Sequence, residues 1–156
     1  MFDLIPRMDV KLGTILKSTD SLLGTVFDGV QVLIVEYNEK GAIGFVLNKP
    51  LGRSLNQLEE FRQMPPFELY NGGPVDQEHL FFIHQRPDLI QEGVAIRKDL
   101  FWGGAFQQVI EGIQNGQLTN KDVKIFVGYC GWDKGELEAE LEEGSWKIAN
   151  EKTAVF

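Results

Sequence analysis

A thiol and two imidazoles are the side chains that a cysteine-based nucleophilic mechanism would need, and this chain has Cys130, His79 and His84 to supply them. Such a mechanism requires a thiolate, so the cysteine must sit beside a base or in an electropositive setting. Cys130 instead follows the apolar run Val123–Tyr129, where a small buried cysteine is the plainer reading. Strict alternation along that run puts Ile125, Val127 and Tyr129 on one face, and Lys124, Phe126, Gly128 and Cys130 on the other. The two histidines could also join Asp76, Glu78 or Asp88 around a metal, but their spacing matches no known ligand pattern. Both histidines read as solvent-exposed, His84 because the loop-like Gln85-Arg86-Pro87 follows it. There is no phosphate-binding G-x-x-x-x-G-K-[ST], no G-x-G-x-x-G after a strand, and no H-E-x-x-H, C-x-x-C or G-x-S-x-G. These absences remove the commonest nucleotide, zinc and serine-hydrolase readings. No catalytic residue, metal ligand or cofactor is assigned.

Recognition chemistry is better represented. Asn71-Gly72-Gly73-Pro74-Val75 offers bare backbone N–H groups or a tight turn. Asn48 and Lys49 emerge together where the strand Ala42–Asn48 ends, although Asn48 could equally bond a local turn. Tyr129, Gly131 and Trp132 end a third strand, and Trp132, set between Gly131 and Asp133, is expected to stay partly exposed. These three glycine-rich strand ends are expected to converge into one recess for a protein or small-ligand partner, with Asn48, Lys49, Gly72, Gly73, Pro74, Tyr129, Gly131 and Trp132 as contact residues. Glu136, Glu140 and Glu143 lie on one face of a C-terminal helix and read as solvated.

The elements that must position these groups follow from periodicity and turn chemistry. Strands are predicted over Leu12–Lys17, Val30–Tyr37 and Ala42–Asn48, the last two as a hairpin around Asn38-Glu39-Lys40-Gly41 that Pro50 ends. Ser54 is placed to cap a short helix through Phe61. Short strands follow over Phe67–Tyr70, Leu80–His84 and Gly93–Arg97, with Phe101–Gly104 as a turn. The apolar stripe Phe106, Val109, Ile110 and Ile113 predicts a helix over Ala105–Asn115, with Gly116 past its end. Val123–Tyr129 is a buried strand. Asp133–Glu143 is a helix with Asp133 and Glu136 as a capping box, and Ser145–Ala149 is a final strand. This order is α+β rather than doubly wound.

At 156 residues the chain is expected to be one domain, residues 1–156, large enough to bury a core without staples. A single cysteine excludes an intramolecular disulfide. No apolar run approaches the roughly 20 residues needed to span a bilayer, and Met1–Asp9 lacks a signal-peptide pattern. These features read as a cytoplasmic, non-membrane protein. The formal charge is −8, and residues 133–143 hold six acidic groups against Lys134 alone. Phosphate backbones are repelled by such a balance, and the helix Ala105–Asn115 has neither Lys nor Arg. Direct nucleic-acid binding is therefore disfavoured, although a small local basic site remains compatible with the charge.

Three segments together resemble the YqgE/AlgH family of bacterial proteins. They are Gly41–Pro50, Gly72-Gly73-Pro74-Val75, and Gly128-Tyr129-Cys130-Gly131-Trp132 continuing through Gly135–Leu141 to Trp146. The resemblance implies a bifurcated, mostly antiparallel sheet curled into a pseudo-barrel with flanking helices. It implies no established catalytic activity, and a transcriptional-regulator role attached to one branch. Cys130 stands where that family often has a small residue such as alanine, and Glu136 where it often has glutamine. The resulting expectation is a non-enzymatic binding protein with a regulatory role. The alternatives are direct DNA binding, and a small thiol enzyme using Cys130 with a histidine.

Overall fold

The computed structural model describes residues 10–150 and 152–156; the leader reading over Met1–Asp9 lies outside them. Ten strands and two α-helices order the described chain: β1 (Ile15–Ser18), β2 (Gln31–Asn38), β3 (Gly41–Val46), β4 (Pro50–Ser54), β5 (Glu68–Asn71), β6 (Val75–His84), β7 (Val94–Arg97), β8 (Leu100–Trp102), α1 (Phe106–Gln114), β9 (Val123–Asp133), α2 (Glu136–Glu142) and β10 (Trp146–Ile148). The main path through the sheet runs β10-β1-β2-β3-β9-β6-β8-β7.

The sheet forks at β9. One edge of this long strand pairs antiparallel with β6, from Val75↔Tyr129 to His84↔Val123. The other edge is shared. Its first part takes β5 in parallel, Leu69↔Ile125 to Asn71↔Val127. Its last part takes β3 antiparallel, Gly44↔Cys130 to Gly41↔Asp133. β4 hangs on β5 alone. The result is an α+β fold whose sheet is mostly antiparallel and bifurcated. The path ends at β10 and β7, so the barrel does not close.

Three apolar clusters account for the burial of the central strands β2, β3 and β9. Val32 and Ile34 of β2 face Trp132, Leu137 and Trp146 beneath α2. Their neighbours Leu33 and Val35 face Phe45, Ile83 and Phe126 on the opposite side. That second cluster contains no helical residue; the curled sheet covers it with its own strands, helped by Val155 and Phe156 of the C-terminal segment. Phe45 and Phe126 stack there at 4.6 Å. α1 closes the third cluster, where Val109 and Ile113 meet Ile125 and Leu69. Covered on both faces, β2 reads as the continuous run Val32-Leu33-Ile34-Val35 rather than an alternating one.

Several boundaries differ from the sequence reading. Pro50 begins β4 instead of ending the sheet region; a proline is tolerated as the first residue of an edge strand because no ladder donor is needed there. Ser54 and Gln57 do form a capping box, but Leu58 has extended dihedrals (φ −85°, ψ 138°), so two 3-10 turns replace the helix. Phe101 and Trp102 belong to β8, a strand where a turn was expected. β6 starts at Val75 and β9 continues to Asp133. Asp133 is therefore strand, α2 starts only at Glu136, and its N-cap is Gly135 at φ +83°.

Candidate functional site

Backbone contact between glycines builds the centre of the fork. Gly128 takes φ +76°, open to glycine at little cost. A Cβ there would collide with the Gly73 carbonyl oxygen and lie 2.9 Å from that of Val75. Gly73 in turn leaves no room for a Cβ against the main chain of Tyr129. Hydrogen bonds bring the other segments in. The Gly72 N–H donates to the Val127 carbonyl at 2.8 Å, the Val46 N–H to Gly72 at 2.9 Å, and the Asn71 N–H to Lys49 at 2.8 Å.

Opposite Gly128, β6 leaves its ladder. Val75 pairs with Tyr129 and Leu80 with Val127, so Asp76, Gln77, Glu78 and His79 stand out as an exposed excursion. Asp76 enters it at φ +53°, a conformation Asp tolerates better than most residues. Gln77 anchors it, its Nε2 donating to the Gly73 carbonyl at 2.8 Å and to Asn71 Oδ1 at 3.0 Å. His79 Nδ1 meets Asp76 Oδ1 at 2.6 Å while 70% of the imidazole side chain stays exposed. The hydrogen bond to Asp76, and the carboxylate's charge, raise the His79 pKa above its ordinary value.

Of the residues singled out in the sequence, Lys49, Gly72, Gly73 and Tyr129 meet at this junction, with Pro74 exposed beside them. Tyr129 is half-buried and packs edge-on to Phe81 at 5.5 Å. Gly131 is exposed opposite Ile43. The side chains of Asn48 and Trp132 are committed elsewhere. Asn48 Oδ1 accepts from the Gln31 N–H, and its Nδ2 donates to the Gly29 carbonyl, both at 2.9 Å, clipping the turn that starts β2. Trp132, expected at the surface, is 7% exposed. β9 runs on past it, and Leu137 and Trp146 close over it. Its indole N–H donates to Glu140 Oε1 at 2.9 Å, and the Trp146 indole N–H donates to the same oxygen at 2.8 Å. The acidic face of α2 is thus partly internal structure. Glu136 accepts from the Asp133 N–H at 2.6 Å, and Glu138 accepts from the Tyr37 hydroxyl, pushing that phenol up to about 12. The paired tryptophans flanking a glutamate-rich helix were the one signal that could have announced this clamp.

Strict alternation fails at Gly128. Tyr129 joins the cluster of Phe126, not that of Ile125 and Val127, because the positive φ shifts the strand by one position. Cys130 is 1% exposed, its thiol facing the Gly72 carbonyl at 3.5 Å, and burial pushes it up to about 12. Both the burial and the raised pKa disfavour the thiolate that a nucleophilic mechanism needs. His84, read as exposed, is completely buried. It stacks on Phe101 of the unforeseen β8 at 5.5 Å, and its Nδ1 accepts from the Arg86 N–H at 3.1 Å. Nε2 lies under Gly93, facing the Gly103 carbonyl without a well-formed hydrogen bond. Desolvation pulls the His84 pKa below its ordinary value. Asp88 is held by Arg86 at 2.8 Å. Among the described residues no three His, Cys, Asp or Glu side chains gather as a metal site.

Comparison with known proteins agrees with this architecture. Residues 15–156 match the AlgH-like family. The UPF0301 protein of Chlorobaculum tepidum is 38% identical over 142 residues, covering 90% of this chain and 75% of that one. The UPF0301 protein of Cytophaga hutchinsonii is 40% identical over 139 residues, covering 88% and 76%. The solution structure of AlgH from Pseudomonas aeruginosa superposes with a TM-score of 0.73 at 29% identity, covering 96% of this chain and 80% of that one. The crystal structure of DIP2367 from Corynebacterium diphtheriae, at 22% identity and a TM-score of 0.72 over 93% and 78%, shares the fold. With most of its length matched by family, relatives and fold alike, the chain belongs to the AlgH-like family of UPF0301 proteins.

Proposed function

We propose that this protein is a non-catalytic, cytoplasmic binding protein with a regulatory role, and that it meets a protein or small-ligand partner at the glycine junction. The observation that carries this reading is the Asp76–His79 excursion. Four exposed polar residues leave an otherwise paired strand at a non-glycine positive φ, a conformation costing on the order of 1 kcal/mol. One of the four, Gln77, nevertheless ties the segment to the junction through its bonds to the Gly73 carbonyl and Asn71 Oδ1. A preorganised polar loop binds with less ordering cost than a mobile one. Exposed Pro74 precedes it in the chain, exposed Lys49 joins the same junction by accepting from the Asn71 N–H, and exposed Gly131 lies two residues past Tyr129, the partner of Val75. No helix among the described residues is long and apolar enough to cross a membrane.

The test is affinity capture from native cell extract with the wild type and with Asp76→Ala/His79→Ala, both verified as folded by circular dichroism. Loss of one specific partner or co-purifying small molecule in the variant is the expected result. An identical set of partners with both proteins would overturn the assignment. Trp132→Ala is unsuitable as a probe, because Trp132 is a core residue and its removal would cost about 3–5 kcal/mol of stability.

A further inference from the structure

Away from the junction, β1, β7 and β10 frame a cavity of about 690 Å³. Its size falls within the roughly 300–1,000 Å³ of small-molecule sites. Its charge runs against that of the whole chain. Lys11, Arg97 and Lys98 line it, and among the described residues no acidic side chain does, in a protein of net charge −8. None of the three makes an ion pair among the described residues. The adjoining hollow of about 290 Å³ shares Arg97 and Lys98, adding Lys152 and, among its described side chains, one acidic group, Asp99.

Arg97 is held in place by neutral contacts. Its Nη1 donates to the Gly13 carbonyl at 3.2 Å, and its alkyl stem lies flat on Gly13, where a Cβ would come within 2.9 Å of Arg97 Cδ. The guanidinium is therefore positioned while most of its donors are unused among the described residues. Leu12 and Ile148, exposed by 37% and 41%, contribute apolar wall beside the cations. Charge-assisted hydrogen bonds from a guanidinium and two ammonium groups recognise an anion, and the two aliphatic side chains recognise a short hydrocarbon chain.

We propose that this cavity is a binding site for a small amphiphilic organic anion, whose carboxylate or phosphate group is held by Arg97, Lys11 and Lys98 while its apolar part rests on Leu12 and Ile148. The site shares no residue with the Asp76–His79 surface, so either assignment can fail without the other.

The experiment is a titration of the ¹⁵N-labelled full chain at low salt, followed by amide chemical shifts. The probes are hexyl phosphate and hexanoate, with inorganic phosphate and hexanol as single-feature controls. Saturable shifts at Gly13, Thr14, Arg97 and Ala149 with at least one amphiphilic anion are expected, with each control binding about tenfold more weakly or worse. Preference between hexyl phosphate and hexanoate distinguishes an organic phosphate from an organic acid. Arg97→Gln is expected to weaken binding about tenfold or more, and raised salt to weaken it further. Should Arg97→Gln disturb packing at Gly13, the exposed pair Lys11→Gln/Lys98→Gln supplies the same reading. Scattered, non-saturating shifts up to about 10 mM of both anions, hexanol bound as tightly as they are, or Gln variants that bind like the wild type would each overturn the site.

Discussion

Glu140 shows how much one side chain can decide. Its Oε1 is the common acceptor for the Trp132 and Trp146 indoles, which meet edge-to-face at 5.9 Å. Glu140→Ala strands both N–H donors, and the loss is expected to be about 2 kcal/mol or more. Glu140→Gln keeps a carbonyl acceptor and should lose roughly half of that. Denaturant unfolding of the two variants measures the difference; equal stability of Glu140→Ala and wild type would show that the clamp contributes nothing. Cys130 yields a second expectation at this scale. With its thiol buried and pushed up to about 12, alkylation of the folded protein at pH 8–9 should be far slower than that of a free thiol of pKa about 8.5. Rapid native-state modification would return the thiol mechanism to consideration. The sequence placed Cys130 correctly as a small buried residue, but it misplaced Trp132 and His84, because the exposure of a side chain depends on what covers it.

At the scale of elements, β9 organises the molecule by serving two partners on one edge. The change of partner and of facing happens where Gly128 takes φ +76° against the Gly73 carbonyl. Gly128→Ala combines an unfavourable backbone, about 1–2 kcal/mol, with overpacking of about 1–3 kcal/mol against main-chain atoms that cannot yield. Gly116, also at positive φ (+83°) but with open space where its Cβ would go, should lose only the backbone part on substitution to Ala. The two melting temperatures, measured side by side, separate crowding from dihedral strain. Comparable losses would mean that the junction is not tightly packed. Glycines at strand ends were visible in the sequence, whereas the crossing of Gly73 over Tyr129 was not, since it joins residues distant along the chain.

For the whole molecule, the two histidines pull stability in opposite directions with pH. Burial depresses the folded pKa of His84 below 6.5. Above 6.5 both folded and unfolded chains hold it neutral; below 6.5 the unfolded chain takes up a proton that the folded chain refuses, so stability falls as pH falls towards the folded value. His79 has a raised folded pKa, so its contribution is present below 6.5 and fades as pH rises through that raised value. It is solvent-exposed, and screening keeps it small. In His79→Gln, unfolding free energy is therefore expected to drop between about pH 7 and about pH 5. A flat profile in that variant would contradict the buried, neutral state of His84. Local information was enough for much of this protein: hydrophobic runs and glycine turns located most strands, a 3.6-residue stripe located α1, and the motifs pointed to the AlgH-like family and its forked sheet. Those signals are legible because they arise between residues close together in the chain. Only the tertiary structure decided that β9 changes facing at Gly128, that Trp132 and His84 lie inside, and that Lys11, Arg97 and Lys98 surround one cavity. Each of these depends on which remote segment packs against which face, a free energy summed over contacts that no local window contains.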